Sequence, residues 1–495
     1  MFQQTWRIAL PFTAYILSMA GIGIYQYRRT RSLDDYILGS RGLGRWVASL
    51  SAQASDMSGW LLLGLPGYAY SAGLEAGWIA LGLVIGTWIN WRFVALRLRI
   101  FTEQAGDALT LPDYFENRFG TDSRRLRVIS AAFILIFFLI YTASGFVAGA
   151  KLFSTVFDLD YRIALSLGIL VIISYTFLGG FMAVCWTDFF QGAIMFLTIL
   201  IVPVLAWMQG GAHLWSRIRD FNPHALNPLT NASGHALGWL GVLSLLAWGL
   251  GYFGQPHILA RFMAIKKPEQ IVHARRIAMA WVVLSLCGAV CVGLTAHGVL
   301  SERLDAAASE TVFMVLVGRL VTPLLAGFLL AAVLAAIMST ADSQLLVASS
   351  AIAEDLIGKL FRKTAGQTER IWVSRLAVIG IALIAGGIAL NPELSVLSLV
   401  AYAWAGFGAA FGPLIGFSLF WSRMTEKGAL SGIIGGGITV LVWRHLSGGL
   451  FDLYEIVPGF LVSSLLVVLI SLVDGPPAQP ALELFRRAGI RMHTL

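Results

Sequence analysis

Residues 46–70 read WVASLSAQASDMSGWLLLGLPGYAY, an apolar run interrupted near its middle by Ala54-Ser55-Asp56-Met57-Ser58-Gly59. A membrane-spanning helix needs about 20 predominantly apolar residues, so the run is long enough to cross a bilayer. An unpaired carboxylate in hydrocarbon is costly, so Asp56 must face the interior of a helix bundle. Its plain reading is an Asp satisfied between helices; its sharper one is a residue on a pathway for a cation or solute.

The rest of the chain agrees with a membrane setting. Of its 495 residues 57% are apolar and only 13% charged, with a mean hydropathy of +0.76. Soluble domains carry about 25% charged residues. This composition excludes a soluble enzyme, a disordered chain and a nucleic-acid-binding module. Thirteen apolar windows emerge, at 7–27, 46–70, 74–97, 128–153, 161–184, 189–209, 236–256, 276–300, 321–351, 371–391, 395–421, 428–446 and 454–474. The positive-inside rule orients them. Twenty-five of the 35 Lys and Arg residues, Arg28, Arg29, Arg31, Arg261, Arg362 and Lys363 among them, fall in or beside the loops after spans 1, 3, 7, 9, 11 and 13; eight lie on the opposite side. The reading is an N-terminus outside, a C-terminus inside, and a net charge of +8 that records loop bias. Span 1 carries its positive cluster after the apolar run, unlike a cleaved leader. Loops of no more than about 30 residues and a short tail leave no room for a soluble catalytic or sensory domain. Cys185, Cys287 and Cys291 read as small core residues, and His257 and His273 as members of the basic loop after span 7.

A second interruption, Trp248-Gly249-Leu250-Gly251-Tyr252-Phe253-Gly254-Gln255-Pro256, lies in span 7. Three glycines and a proline weaken helix continuity while two aromatic faces stand ready for an apolar ligand; a kinked helix packed through its glycines is the plainer alternative. Spans 2 and 7 are five apart, so each heads a possible five-helix repeat, 2–6 and 7–11. Five is odd, so the second repeat enters the membrane in the opposite sense. Interrupted helices at corresponding places in inverted repeats point to the central site of a transporter. Span 9 adds Ala336-Ile337-Met338-Ser339-Thr340-Ala341-Asp342-Ser343. Its hydroxyls could simply bond back to their own helix. Together with carbonyls released at Ala54, Met57 and Ala336, Ser339 and Thr340 would instead give an uncharged oxygen shell suited to Na⁺.

Long blocks carry a resemblance: Asp34–Gly39 (DDYILG), Ala54–Gly67 (ASDMSGWLLLGLPG), Leu109–Phe115 (LTLPDYF), Trp186-Thr187-Asp188, Gly249–Met263 (GLGYFGQPHILARFM) and Tyr402–Pro413 (YAWAGFGAAFGP). In these the chain resembles the solute:sodium symporter family, and within it the proline-transporting branch, over nearly its whole length. The resemblance implies an all-α polytopic membrane protein of about 13 transmembrane helices. Residues 46–421 would form a LeuT-like ten-helix core of inverted repeats with broken helices 2 and 7. Residues 1–45 would be a peripheral helix and inner loop, 422–474 two peripheral helices, and 475–495 a short cytoplasmic tail.

The implied activity is Na⁺-coupled symport of L-proline into the cell by alternating access, in a bacterial-type inner membrane; another small solute carried by the same mechanism is the alternative. It implies Na⁺ on Ala54, Met57, Ala336, Ser339 and Thr340. Proline would sit on Ser58, Gly59, Tyr141, Trp248, Tyr252 and Pro256, and Arg41, Asp56 and Asp188 would serve coupling and gating. Proline is a zwitterion with an apolar ring, which suits an aromatic-lined slot with a few polar groups. Asp342 departs from the branch, which usually has an uncharged residue there. Asp188, Asp342 and Ser343 therefore form a candidate second cation site, the alternative being an Asp paired with a nearby Arg. Na⁺, proline and the lipid bilayer are the expected partners, with no nucleic acid and no obligatory protein partner. No constellation of nucleophile, base or metal ligands suggests an enzyme.

Overall fold

A computed structural model describes residues 5–27, 32–120, 123–176, 180–305, 308–361 and 367–493. Arg28, Arg29, Arg31, Arg362 and Lys363, which enter the charge count above, lie outside the described residues. Among the described residues the chain is helical apart from two isolated β-bridges, Leu43 with Ile265 and Thr230 with Ala236. It is a multi-pass membrane protein.

Each apolar window is found as helix. Span 1 is Thr5–Tyr27, span 2 begins as Arg45–Asp56 and resumes at residues 60–72, and span 3 covers 76–104. Spans 4, 5 and 6 are Arg125–Phe157, Tyr161–Thr176 and Phe181–Gly210. Span 7 is Gly238–Leu246, a tighter 3₁₀ stretch Ala247–Gly254, and Pro256–Ala264. Spans 8 and 9 are Ile271–Val299 and Pro323–Ser350, the latter extended by a π-helical stretch Ala351–Phe361. Spans 10 to 13 are Gln367–Ile388, Val396–Phe420, Glu426–Trp443 and Ile456–Val473, and a tail helix Gln479–His493 follows. Nine described helices are long and apolar enough to cross a membrane, and the broken or shorter spans supply the remaining windows.

Two boundaries differ from the hydropathy reading. The window 161–184 runs across a break, because Gly180 adopts an extended backbone and a side chain there would press on Tyr36. Cys185, Trp186, Thr187 and Asp188 therefore belong to span 6. Span 3 continues past its window because the charged ends of Arg97 and Arg99 reach the carbonyls of Leu419 (3.0 Å) and Ile265 (2.6 Å), letting their stems pass as apolar surface.

The core is built around spans 2 and 7. Span 2 packs on spans 6, 8 and 9, and the centre of span 7 packs on spans 3 and 11. In spans 9 and 11, 83% of the most apolar window is buried, against 33% in spans 1 and 13, so the latter two lie at the rim. The close packing of span 7 on spans 3 and 11 depends on absent side chains. A Cβ on Gly249 would come within 2.2 Å of the Gly82 carbonyl oxygen, and one on Gly251 within 1.8 Å of Trp404 Nε1. Small residues permit such backbone approach in membranes. Of the cysteines only Cys185 is buried; Cys287 and Cys291 face outward from span 8, so the expectation that all three are core residues fails. They sit on the lipid-facing side of an apolar helix, where hydropathy cannot tell packing from lipid contact.

Candidate functional site

The break in span 2 follows from one displaced hydrogen bond. Met57 leaves the helix at φ −85°, ψ 75°, and the Ser58 amide donates to the Asp56 carbonyl (3.0 Å) where a continuing helix would use Ala54. The Ala54 carbonyl so released accepts from Ser339 Oγ (2.8 Å) and Thr340 Oγ1 (3.4 Å), and Ser339 Oγ also lies 3.2 Å from the Ala336 carbonyl. Four of the five residues singled out for Na⁺ thus share one buried cluster, with Met57 at the turn beside it. Neutral oxygens spaced like this match the edges of a shell about a hard cation, whose ligands sit about 2.3–2.6 Å away for an ion of Ca²⁺ size.

The other break faces it. Pro256 opens the second half of span 7, where its missing N–H removes nothing the helix needs. Tyr252, just before, donates to Asp56 Oδ2 at 2.6 Å and so joins the two broken spans. Asp56 Oδ1 is buried without a partner, and the Asp56 carbonyl accepts from Tyr141 Oη (3.1 Å) and Trp60 Nε1 (3.2 Å). The Trp248 ring lies 6.3 Å from that of Trp60, and the Trp248 carbonyl accepts from Trp404 Nε1 at 2.7 Å. Ser58 and Gly59 lie in the same break; a Cβ on Gly59 would be 2.9 Å from that of Ala148. The centre therefore offers neutral oxygens, one carboxylate oxygen in reserve and indole and phenol faces.

Two of the residues singled out for coupling lie elsewhere, toward the face that carries the Arg-rich loops, here the basic face. Arg41 donates to Asp107 (2.6 Å) and to the carbonyls of Met263 (2.6 Å) and Ala108 (3.1 Å), tying the loop after span 1 to the ends of spans 3 and 7. It follows Gly39 and Ser40 in a left-handed stretch, with φ of 48° at Ser40 and 50° at Arg41. Non-glycine residues there carry strain of roughly 1–2 kcal/mol each. Asp188 meets Arg261, whose guanidinium donates to Asp188 Oδ2 (3.0 Å), Ser343 Oγ (2.5 Å), Ser51 Oγ (3.1 Å) and the His257 carbonyl (2.8 Å). Asp188, Asp342 and Ser343 do come together, with this guanidinium among them, and Ser343 Oγ also donates to Asp342 Oδ1 at 3.3 Å.

Arg261 and His257 are thus corrected from loop residues to fully buried ones on the second half of span 7. The charge count missed them because it treats every Arg near a span end as solvated. The available signal was position: Arg261 falls five residues after Pro256 within the apolar run HILARFM. Asn90 and Trp404, which hold the Tyr252 and Trp248 carbonyls, were also missed.

On the face opposite the basic one, Glu310 accepts from Lys151 Nζ (2.6 Å), Ser395 Oγ (2.8 Å) and the amides of Val396 and Leu397 (both 3.0 Å), fastening the loop before span 9 to the start of span 11. Burial alone would push its carboxyl upward, but Lys151 and the two amides outweigh burial and hold it below the usual range. Among the described residues no three His, Cys, Asp or Glu side chains converge as a metal site.

Comparison with known proteins bears on this geometry. Residues 36–436 match the Sodium:solute symporter family. The chain is 50% identical over 490 residues to the sodium/proline symporter of Salmonella typhimurium, covering 98% of this chain and 97% of the relative. It is 49% identical over 491 residues to that of Escherichia coli, with the same coverage of both. The solved structure of a substrate-bound, outward-open Na⁺-coupled sialic acid symporter superposes with a TM-score of 0.79 at 18% identity, covering 96% of this chain and 99% of that one, which shows a common fold.

Proposed function

The chain belongs to the sodium:solute symporter family, and from that premise we propose that it is a secondary active transporter coupling inward movement of Na⁺ to uptake of L-proline. It is a transporter and not an enzyme; Na⁺ and proline are its cargo. The observation that carries the reading is the released Ala54 carbonyl with Ser339 and Thr340 upon it, beside a carboxylate that joins both broken spans.

In this reading Na⁺ rests on the carbonyls of Ala54, Met57 and Ala336 and the hydroxyls of Ser339 and Thr340, which turn their lone pairs from one another to the ion. The ion fixes the break of span 2 and, through it, the neighbouring slot formed by Ser58, Gly59, Tyr141, Trp248, Tyr252 and Pro256. Proline laid in that slot strengthens the break in return, since coupling between two binding sites is reciprocal. All six residues are buried or nearly so, so cargo enters and leaves only when helices move. Asp56 links the two halves, while Arg41 and Asp188 act at the basic face, which is cytoplasmic by the positive-inside rule. The N-terminus is then outside and the C-terminus inside a bacterial inner membrane. Residues 46–421 form the transporting core, 1–45 and 422–474 its rim, and 475–495 the tail.

The decisive experiment is proline uptake into proteoliposomes under an imposed Na⁺ gradient. Thr340→Ala is expected to raise the Na⁺ needed for half-maximal uptake about tenfold, the cost of one cation ligand at about 1.4 kcal/mol. Uptake indifferent to Na⁺, or unchanged in both Thr340→Ala and Asp56→Cys, defeats the assignment. Equal competition by sugars or carboxylates would favour another solute.

Asp188, Asp342 and Ser343 are proposed as a second cation site. Asp188 Oδ1 is buried with no partner, which leaves acceptor capacity beyond what Arg261 uses. The expectation is a Na⁺ dependence with a Hill coefficient above one that falls to one in Asp342→Asn. A coefficient of one in both proteins removes the site.

A further inference from the structure

On the face opposite the basic one, the ends of spans 2 and 8 and the short helix Leu214–Phe221 that follows span 6 line an open-mouthed cavity of about 280 Å³. Drug-sized ligands occupy roughly 300–1,000 Å³, so a space at the lower edge of that range fits a solute the size of an amino acid. Aromatic rings form one side of it. The His297 ring stacks on Tyr70, with centroids 4.3 Å apart and planes 11° apart, and lies 4.2 Å from the Phe221 ring. His297 Nε2 meets the Tyr70 carbonyl at 3.0 Å, and the Leu304 amide donates to Tyr70 Oη at 3.2 Å, so both spans and the loop after span 8 hold the stack in place.

The rest of the lining carries both signs of charge: Arg217 and Arg303, Asp220 and Glu302. Arg217 donates to the Gly298 carbonyl (2.7 Å) and Arg303 to that of Asp220 (3.1 Å), and the Arg303 guanidinium lies 4.9 Å from the centre of the Phe221 ring. Backbone carbonyls thus orient both guanidiniums, and among the described residues neither is paired with a carboxylate. Each keeps further N–H donors in the planar fork that matches a carboxylate.

We propose that this cavity binds a small zwitterion, with its carboxylate on Arg217 and Arg303, its ammonium on Asp220 or Glu302, and its apolar part against Phe221. A simple anion would meet two acidic side chains and a simple cation two guanidiniums, whereas a molecule with both charges answers both. The site is separate from the proline slot. Tyr70 stands twelve residues beyond Ser58, about 18 Å at 1.5 Å of rise per helical residue. It uses none of the oxygens assigned to Na⁺, so its ligand binds without Na⁺. The inference goes beyond the transport reading and does not depend on it.

The test is calorimetric titration of L-proline into the purified full-length protein in lipid nanodiscs, in NaCl and in KCl at equal, low ionic strength, since salt screens exposed charges. Wild type is expected to bind in two components, one that needs Na⁺ and one that does not. Arg303→Gln and Glu302→Gln, both at exposed positions, are each expected to weaken the Na⁺-independent component about fivefold, the upper end of what an exposed ion pair contributes, and to leave the Na⁺-dependent component as it was. Cyclopentanecarboxylate and pyrrolidine, which keep the ring and one charge each, should bind in KCl about fivefold more weakly than proline for the same reason. Absence of binding in KCl, an unchanged KCl component in both variants, or cyclopentanecarboxylate binding as tightly as proline overturns the proposal. So does an equal fall of both components in both variants, which would make the charges structural. A wild type that binds in KCl and shows no Na⁺-dependent component would leave this site standing and sink the transport reading instead.

Discussion

Asp56→Asn should raise the Na⁺ concentration that half-saturates proline binding about a hundredfold, the loss of one charge-assisted interaction of roughly 2.7 kcal/mol. The substitution is informative because it separates charge from shape. An Asn oxygen can still accept from Tyr252, so the junction between the two broken spans survives while the negative charge disappears. Asp56 Oδ1 is buried and accepts from nothing. A cation arriving nearby relieves this cost, which is how a single carboxylate can favour ion binding without being a direct ligand. Proline binding to purified protein, titrated with Na⁺, makes the measurement. A half-saturation point equal to that of wild type would remove Asp56 from the coupling path, and a parallel loss in Tyr252→Phe would shift the emphasis from charge to the junction.

The second large effect is on the fold. Arg261→Gln leaves Asp188 buried with only Ser51 as donor, and breaking a buried pair by removing one partner costs about 3–5 kcal/mol. The variant is expected to reach the membrane in reduced amount and to melt well below wild type in detergent. Adding Asp188→Asn should restore most of the loss, because no uncompensated charge remains. If Arg261→Gln melts as wild type does, the pair carries no structural weight and Arg261 is free to move during transport.

Much of this was legible in the sequence because lipid imposes simple rules. Thirteen apolar windows, their alternation of basic loops and both interrupted spans follow from hydrophobicity, charge and glycine content alone. The Ser339-Thr340 pair was visible as polarity in an otherwise apolar helix, and its meeting with Ala54 required only that span 2 be broken where Asp56-Met57-Ser58-Gly59 lies. What escaped was pairing across the bundle. Arg261, Arg118 and Arg127 look like loop anchors in one dimension and are buried in three, because their partners, such as Asp188 and Asp355, are brought from distant segments. The start of span 6 escaped because residues 177–184 are apolar on both sides of the break, so hydropathy cannot see it. Support from backbone carbonyls, as at Trp404 and Asn90, leaves no compositional trace at all.

The clasp at Glu310 has a bearing on speed. One ammonium, one hydroxyl and two amides converge on a single carboxylate, and at about 1.5–3 kcal/mol for each bond to a charged group they hold the two segments together firmly even after each bond to water is replaced. A bias of that size leaves the unfastened form well below about 0.1% of molecules at rest. Any step that needs the loop before span 9 to leave span 11 would therefore run at the pace of that rare release. A stronger fastening would slow that release further, and a weaker one would leave the two segments free to part.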